Sequence, residues 1–269
     1  MASDFSQVME DVRRVATAKG RAGVGAFAVE GRRLLERAVR SGWAPRHLLI
    51  GASLREEQPE VELLLRQVAA LGCACHFVPD AQLLALSEGR RSGLLTALFP
   101  IPSGLSLSQL LESRPAPAVY LAIVDIDEPG NVGALIRTAL ASDAAGVICV
   151  GSSDPYHPKA VRTSLGSLFK LPLSRLPSSE GLLALLRERG IHTLATVARE
   201  GASIDRAAWP VGSVALFVGN EGRGLSDGLR SAADGRVTID LCTAADSYCV
   251  NAAAAVCLYE VQRRLRFRA

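Results

Sequence analysis

Short apolar runs alternate with longer stretches of helical periodicity along the carboxyl half of the chain. The clearest unit starts with the run AVYLAIV at 118–124, passes through a turn into a helical stretch, and ends with AAGVICVG at 144–151. Such runs are typical of buried strands, so the order is strand, turn, helix, strand. Units of this kind form parallel sheets, and ligands of open α/β sheets gather at the carboxyl ends of the strands.

The same alternation predicts the remaining elements after residue 118. We expect strands near 119–124, 146–150 and 171–174 and over the segments HTLATVA, SVALFVG and RVTIDL. We expect helices near 132–142 and 158–167, over SEGLLALLRERG, and from about residue 247 to 266. The pattern predicts a parallel sheet covered by helices on both faces.

The first hundred residues carry an α/β alternation of their own. The segments AFAVE, HLLIG, CACHFVP and GLLTALFPI are typical of strands, and helical stretches separate them. A stretch rich in Pro and Gly follows, interrupted by the helical segment LSLSQLLES. We therefore expect a small α/β domain at residues 1–100, a linker at 101–117 and a second α/β domain at 118–269.

Composition narrows the class of protein. The chain has 269 residues, 49% of them hydrophobic and 21% charged, which is enough to bury a core in about two domains. No run of 18 apolar residues occurs, and the start MASDFSQVMEDVRR lacks the apolar region of a secretory signal. We expect a soluble cytoplasmic protein. The six cysteines form no C-x-x-C pair, and neither they nor the histidines have metal-ligand spacing, so we expect no metal.

Positive charge is concentrated near the start of the chain. Between Asp11 and Arg46 there are nine basic residues and three acidic ones, although the formal net charge of the whole chain is only +3. Such a cluster suits contacts with nucleic-acid phosphates, but it is equally typical of a solvated surface. Charge alone leaves both interpretations open.

The segment EPGNVGALIR at 128–137 lies at the turn of the strand, turn, helix, strand unit. It lacks the G-x-G-x-x-G spacing of a dinucleotide site, which argues against a nicotinamide-dependent oxidoreductase. Asn131 is either the N-cap of the following helix or a ligand-binding residue. Arg137 stands in an otherwise apolar helix, between the small residues Gly133 and Ala141 on one stripe, where we expect it to be buried. A buried arginine without a partner is costly, so we expect it to face an acid or an anionic substrate.

Two further segments follow the predicted strands. In FVGNEGRGLSDGL, glycines surround Asn220 and Glu221, which allows either close approach of a ligand or a plain turn. In TIDLCTAADSYCVNAAAAVCLYE, Asp246 and Ser247 precede an alanine-rich helix, where they suit helix capping, ligand binding, or both.

Taken in order, these three segments resemble the three motifs of the SpoU/TrmH family, the SPOUT-class RNA 2′-O-ribose methyltransferases. The upstream segments KGRAGVGAFAVEGRRLLERAV and RRSGLLTALF resemble that family's small RNA-binding domain, which is similar to ribosomal proteins. The segment HPKAVRTSLGSLFKLPL is similar to a stretch found in its antibiotic-resistance ribosomal RNA methyltransferases. The resemblance covers almost the whole chain.

The resemblance implies a deep trefoil knot in the carboxyl half, S-adenosyl-L-methionine as cofactor and a homodimer. It implies catalytic roles for Asn131, Arg137 and Glu221: the arginine contacts the target phosphate and assists deprotonation of the 2′-hydroxyl, the asparagine orients the ribose, and Glu221 holds one of them. It also implies that a cofactor-binding wall includes these residues: Gly219, Ile239, Leu241, Ser247 and Cys249. Ribosomal RNA is the expected substrate, with transfer RNA as the alternative.

One departure from the family pattern bears on the site. The third motif usually reads Ser-Leu-Asn, whereas this chain has Ser-Tyr-Cys, which puts Cys249 in the position of the asparagine. Asn251 lies two positions further on and is the other candidate for that role. The same departure leaves open a catalytically impaired RNA-binding protein.

Overall fold

The computed structural model describes residues 2–57, 60–207, 209 and 211–266, and these residues divide into two compact units. One unit comprises Met1–Ser103 together with Tyr156–Phe169, and the other comprises Gly104–Pro155 with Lys170–Ala269. We call them the amino-terminal unit and the carboxyl-terminal unit. Among the described residues, no helix is long and apolar enough to span a bilayer.

Strands and helices alternate through both units. The strands are β1 (Ala26–Glu30), β2 (His47–Gly51), β3 (Ala74–Val78), β4 (Leu95–Pro100), β5 (Val119–Val124), β6 (Gly146–Val150), β7 (Leu173–Leu176), β8 (His192–Thr196), β9 (Ala202–Ser203), β10 (Val214–Val218) and β11 (Gly235–Thr238). The helices are α1 (Ala2–Arg14), α2 (Ala18–Val24), α3 (Arg32–Arg40), α4 (Ala52–Glu57), α5 (Glu60–Ala70), α6 (Asp80–Leu86), α7 (Leu107–Glu112), α8 (Pro129–Ala141), α9 (Pro158–Thr163), α10 (Leu182–Glu188), α11 (Asp227–Ala232) and α12 (Val250–Arg266).

The amino-terminal unit is built on a four-stranded mixed sheet. The strand order is β1-β4-β2-β3, in which β4 runs antiparallel to both of its neighbours and β2 pairs with β3 in parallel. The strands predicted from the first hundred residues are all present in it. One of the nine basic residues in this region, Arg21, is buried and donates to the carbonyls of Val15 and Ala16, so it cannot contribute to a basic surface.

The segment Tyr156–Phe169 packs within the amino-terminal unit, although it comes from the region predicted to form the second domain. Its two aromatic ends join a cluster around Phe27, whose ring lies 4.9 Å from that of Tyr156 and 6.5 Å from that of Phe169. Trp43 adds an indole N–H that donates to the carbonyl of Phe169 at 3.0 Å. These contacts join residues that are far apart along the chain. The predicted domain boundaries remain a prediction.

The carboxyl-terminal unit contains a seven-stranded sheet whose order is β7-β6-β5-β10-β8-β11-β9. Its pairings are parallel, as predicted from the alternation of strands and helices. The central strands β5, β6 and β10 are buried along their whole length, which explains why they read as continuous apolar runs. The trefoil knot that the resemblance implies remains a prediction.

Helix α7 shows that the predicted linker contributes to this unit. Leu107, Leu110 and Leu111 are buried in its core, and the hydroxyl of Tyr120 donates to the carbonyl of Leu111 at 2.9 Å. A capping box formed by Ser106 and Gln109 starts the helix. Its leucines therefore anchor the segment to the core of this unit. The Pro-rich composition around them does not indicate this packing.

Helix α12 is held at its far end by Glu260. The carboxylate accepts from Arg263 at 2.7 and 2.8 Å and from Arg264, and these bonds lower the pKa of Glu260 from its usual 4.5 to about 2. Arg264 also lies 5.5 Å from the ring centre of Trp209 and donates to the carbonyl of Asp205. The pair thus links the helix to the segment after β9.

We predict that Glu260→Gln lowers the melting temperature at pH 7 and that the difference disappears in acid. A carboxyl whose pKa is lowered on folding stabilises the protein above its unfolded pKa, and this contribution is lost as pH falls through the folded value. The gap between parent and variant should therefore close between about pH 4.5 and pH 2. Thermal unfolding followed by circular dichroism across this range measures it, and a gap independent of pH would contradict the assignment.

Candidate active site

A cavity of about 680 Å³ opens at the carboxyl ends of β8, β10 and β11, beside the start of α12. It is lined by residues 196–200, 218–225, 230, 237, 239, 241, 246–250, 253 and 257. Apolar side chains such as Val250 and Ile239 share the wall with the carboxylates of Glu221 and Asp246. Burial raises the pKa of the Cys257 thiol to about 12, so this side chain presents a protonated, apolar surface. A cavity of this size and mixture suits a small organic molecule with apolar and charged parts.

The residues predicted to form a cofactor-binding wall all line this cavity. They are Gly219, Ile239, Leu241, Ser247 and Cys249. They come from three separate segments of the chain, which the parallel sheet brings to one edge. Their function in binding remains a prediction, but their convergence on a single wall is what such a function requires.

The loop after β10 is held in place by Asn220. Its side-chain N–H₂ donates to the carbonyl of Asp125 at 3.0 Å and to the carboxylate of Asp127 at 2.9 Å, while its oxygen accepts from the backbone N–H groups of Gly222 and Arg223. An amide has two donor and two acceptor positions, and all of them are used here. Asn220 therefore ties the loop after β10 to the loop after β5.

Glycines allow this loop to fold back on itself. A Cβ at Gly219 would lie 2.5 Å from the backbone of Gly224 and Leu225, closer than any side chain tolerates. Gly224 has a φ of +67°, in the left-handed region that favours glycine. The loop is thus more than the plain turn that its composition allowed, because its backbone forms part of the cavity wall.

A continuous chain of three polar side chains connects the three predicted motifs. Asn131 on α8 donates its side-chain N–H₂ to the carboxylate of Glu221 at 2.5 Å. Asn251 on α12 donates its own N–H₂ to the side-chain oxygen of Asn131 at 2.8 Å. Glu221 also lines the cavity, so this chain of hydrogen bonds starts at the cavity and ends in the first turn of α12.

Asn131 is not the N-cap of its helix. The side chain of Glu128 caps α8 by accepting from the backbone N–H of Gly130 at 2.8 Å, and Asn131 is the third residue of the helix. Pro129 occupies the first helical position, where its missing N–H costs nothing. The side chain of Asn131 is thereby left available for Glu221.

Arg137 occupies a different place from the one expected. It is exposed on α8 rather than buried, and it makes no hydrogen bond or ion pair with any residue that the structure describes. It is six residues beyond Asn131, about 9 Å further along the helix axis and on another face. Within one chain the structure brings Asn131 and Glu221 together but leaves Arg137 apart from them.

Cys249 and Asn251, the two candidates for the third-motif asparagine, have different surroundings. Cys249 is exposed and lines the cavity, whereas Asn251 is half-buried and contacts Asn131. The carbonyl of Cys249 accepts from the N–H of Ala253 at the start of α12. Helix α12 starts at Val250, three residues later than predicted, so Ser247 lies in the loop before it.

Asp127 is a structural member of the site that the motif resemblance does not indicate. Its carboxylate accepts from the hydroxyl of Ser152 at 3.0 Å and from Arg223 at 3.0 Å, in addition to Asn220. The available signal was its position directly after β5, where polar residues meet those that follow neighbouring strands.

In the part of the chain that the structure describes, no group of three His, Cys, Asp or Glu residues could hold a metal ion.

Comparison with known proteins identifies the class to which this fold and site belong. The SpoU rRNA Methylase family matches residues 118–259, which include β5, the cavity and most of α12. The MRM3-like substrate binding domain matches residues 7–91. The chain belongs to the SpoU rRNA methylase family.

Several relatives are similar over nearly the full length. The chain is 28% identical over 264 residues to the 23S rRNA (guanosine(2553)-2′-O)-methyltransferase RlmP of Bacillus subtilis, with 96% of each chain covered. It is 31% identical to the 23S rRNA (uridine(2479)-2′-O)-methyltransferase of Streptomyces viridochromogenes, with 89% of this chain and 83% of the relative covered. The crystal structure of the SpoU methyltransferase AviRb from that organism, in complex with AdoMet, matches with a TM-score of 0.85 at 28% identity, covering 95% of this chain and 97% of AviRb.

We predict that Asn220→Asp destabilises the protein by about 1–3 kcal/mol, because it removes both donors and sets two carboxylates against each other. The double variant Asn220→Asp with Asp127→Asn restores a donor opposite the new carboxylate. It should recover more than half of the loss in chemical denaturation. If the double variant is less stable than Asn220→Asp alone, this hydrogen bond does not hold the loop.

Proposed function

We propose that this chain uses S-adenosyl-L-methionine to methylate a ribose 2′-hydroxyl in ribosomal RNA. The observation that carries the proposal is the chain of hydrogen bonds that starts at Glu221 on the cavity wall and continues through Asn131 to Asn251. Family membership and the printed activities of the relatives supply the reaction class. Ribosomal RNA is favoured over transfer RNA because both of these full-length relatives act on 23S rRNA.

The cavity fits this cofactor. Its volume and the apolar side chains of Ile239, Leu241 and Val250 suit an adenine ring, and backbone groups of the loop after β10 offer hydrogen bonds along one wall. Asp246 and Glu221 supply negative charge for a positively charged amino acid moiety. When bound, the cofactor supplies an electrophilic methyl group on a sulfonium.

The residues of the chain contribute mainly by positioning. Methyl transfer to a hydroxyl is an in-line displacement, so the acceptor oxygen must be held close to the methyl group and in line with it. In our proposal Asn131 orients the ribose, and Glu221 fixes Asn131 by accepting from its amide. Arg137 binds the neighbouring phosphate, and its positive charge favours ionisation of the hydroxyl that must lose a proton.

RNA binding is assigned to the amino-terminal unit. Its helix α3 carries Arg33, Arg37 and Arg40 at helical spacing on one exposed face. The match of residues 7–91 to a substrate binding domain supports this assignment. Arginines on one face suit phosphate contacts, which give salt-dependent binding of limited sequence preference.

A protein acting on ribosomal RNA works in the cytoplasm, where we place this chain.

We further propose a homodimer in which Arg137 serves the site of the second copy. The outer surface of α8 and α12 includes Arg137 and Ala141, with Val256 41% exposed and Tyr259 67% exposed. Exposed apolar side chains beside small residues are typical of an interface. Such an interface also gives Arg137 a substrate contact that its own chain does not provide.

We predict that the purified chain transfers labelled methyl groups from S-adenosyl-L-methionine to unmodified 23S rRNA transcript. Glu221→Ala should reduce the rate by about 100-fold, because Asn131 loses the acceptor that fixes its orientation. Filter-bound radioactivity measures the rate, and isothermal titration measures cofactor binding.

Glu188→Ala is a suitable control, since it also removes an exposed acid of the carboxyl-terminal unit but lies outside the cavity lining. Binding of rRNA and cofactor by the parent chain without any transfer would contradict the proposal and leave an RNA-binding protein instead.

We predict that Arg137→Ala and Glu221→Ala are each strongly impaired alone but complement each other when mixed. In a mixed dimer one site keeps Glu221 from one chain and Arg137 from the other, so about a quarter of parental activity should return after subunit exchange. The measurement is the transfer rate after co-refolding of the two variants. If the mixture is as inactive as its components while size-exclusion shows mixed dimers, Arg137 does not act on the second copy.

A further inference from the structure

We infer that Asn251 is a positioning residue whose hydrogen bond sets the orientation of the Asn131 amide during methyl transfer. The inference rests on the proposed function, since it concerns the same site. Asn251 is one of the two candidates for the role of the third-motif asparagine. Asn251 contacts neither the cavity nor, by this inference, the substrate, and it acts through Asn131.

The direction of the hydrogen bonds follows from the chemistry of Glu221. An ionised carboxylate only accepts, so the Asn131 side chain must turn its N–H₂ towards Glu221. Its oxygen then faces α12, where only a donor can satisfy it. Asn251 meets this requirement with its own N–H₂ at 2.8 Å. The carboxylate thus orients two amides in succession, and each bond permits a single orientation of the next.

This arrangement leaves the side-chain oxygen of Asn251 without a partner. That oxygen is buried and has no hydrogen-bond donor among the described residues. A buried polar atom without a partner lowers stability, and the residues next along the helix, Ala252 to Ala255, show that a small apolar side chain suits this stretch of α12. As a purely structural residue Asn251 is therefore a poor choice, whereas as a donor to Asn131 it has a clear role.

The backbone around Asn251 is well suited to hold this donor. It is the second residue of α12, and that helix packs directly on α8, which carries Asn131. Ala254 and Leu258, on the buried side of α12, are fully excluded from solvent. Both amides therefore stand on helices rather than on loops, which keeps their relative position within narrow limits.

A double-mutant cycle tests the inference. Asn251→Ala should lower the single-turnover methyl-transfer rate by about 10- to 100-fold, because Asn131 becomes free to rotate. The dissociation constant for S-adenosyl-L-methionine should stay within about twofold, and the melting temperature should change little, because Asn251→Ala removes a buried oxygen that lacks a donor together with the donor to Asn131. In an Asn131→Ala background the same substitution should have no further effect on the rate, since the two residues act as one unit.

Gln262→Ala provides a matched control, because Gln262 is another α12 amide, and its bond goes to the carbonyl of Asp143 beyond the end of α8. It should leave the rate unchanged. A rate for Asn251→Ala within twofold of the parent, losses that multiply in the double variant, or a lowered melting temperature that accounts for the lost rate would each overturn the inference.

A second readout does not depend on catalysis. The side-chain amide protons of Asn131, observed by NMR in labelled protein, should exchange with water faster in Asn251→Ala and at the parental rate in Gln262→Ala. If the parent transfers no methyl group, the proposed function fails, and unaltered exchange in Asn251→Ala would overturn the positioning contact independently.

Discussion

The parallel pairing of β10 with β5 determines where every part of the site lies. These strands are far apart in sequence, yet Val218 lies opposite Ile123 in the centre of the sheet. Because parallel strands end at the same edge, the loop after β10 meets the loop after β5, and Asn220 joins them. This pairing therefore brings Glu221 and Asn131 within hydrogen-bond distance.

The hydrogen-bonded loops then act as a rigid support for chemistry that depends on position. Asp127 neutralises and orients Arg223, Asn220 uses its full hydrogen-bonding capacity, and the glycines close the loop on itself. Glu221, which lines the cavity, accepts a hydrogen bond from the Asn131 amide and fixes its orientation. A site of this kind lowers the barrier to a displacement mainly by holding the reacting atoms in place.

Sequence periodicity predicted the elements better than their arrangement. Buried strands such as β5 and β10 are continuous apolar runs, so their existence could be predicted locally. The packing of Tyr156 and Phe169 on Phe27 could not, because an aromatic residue carries no information about a partner more than a hundred positions away. The leucines of α7 lie in a segment whose prolines and glycine predict a linker. These leucines are nevertheless buried in the core.

The site, too, could be predicted only in part from the sequence. The motif resemblance found Asn131 and Glu221, which the structure places in contact, but the expected burial of Arg137 was wrong because helix phase turns it outward. The capping preference of asparagine suggested a role that Glu128 performs instead. The contact of Asn251 with Asn131 depends on how α12 packs on α8, which no local pattern encodes.

In our proposal these loops form one site for methyl transfer to a ribose oxygen. Complete nuclease digestion of 23S rRNA treated with the purified chain and isotopically labelled cofactor, followed by mass spectrometry of the nucleosides, tests it most directly. We expect label in a single 2′-O-methylated nucleoside. Label on a base, or none at all under conditions where cofactor and RNA both bind, would contradict it.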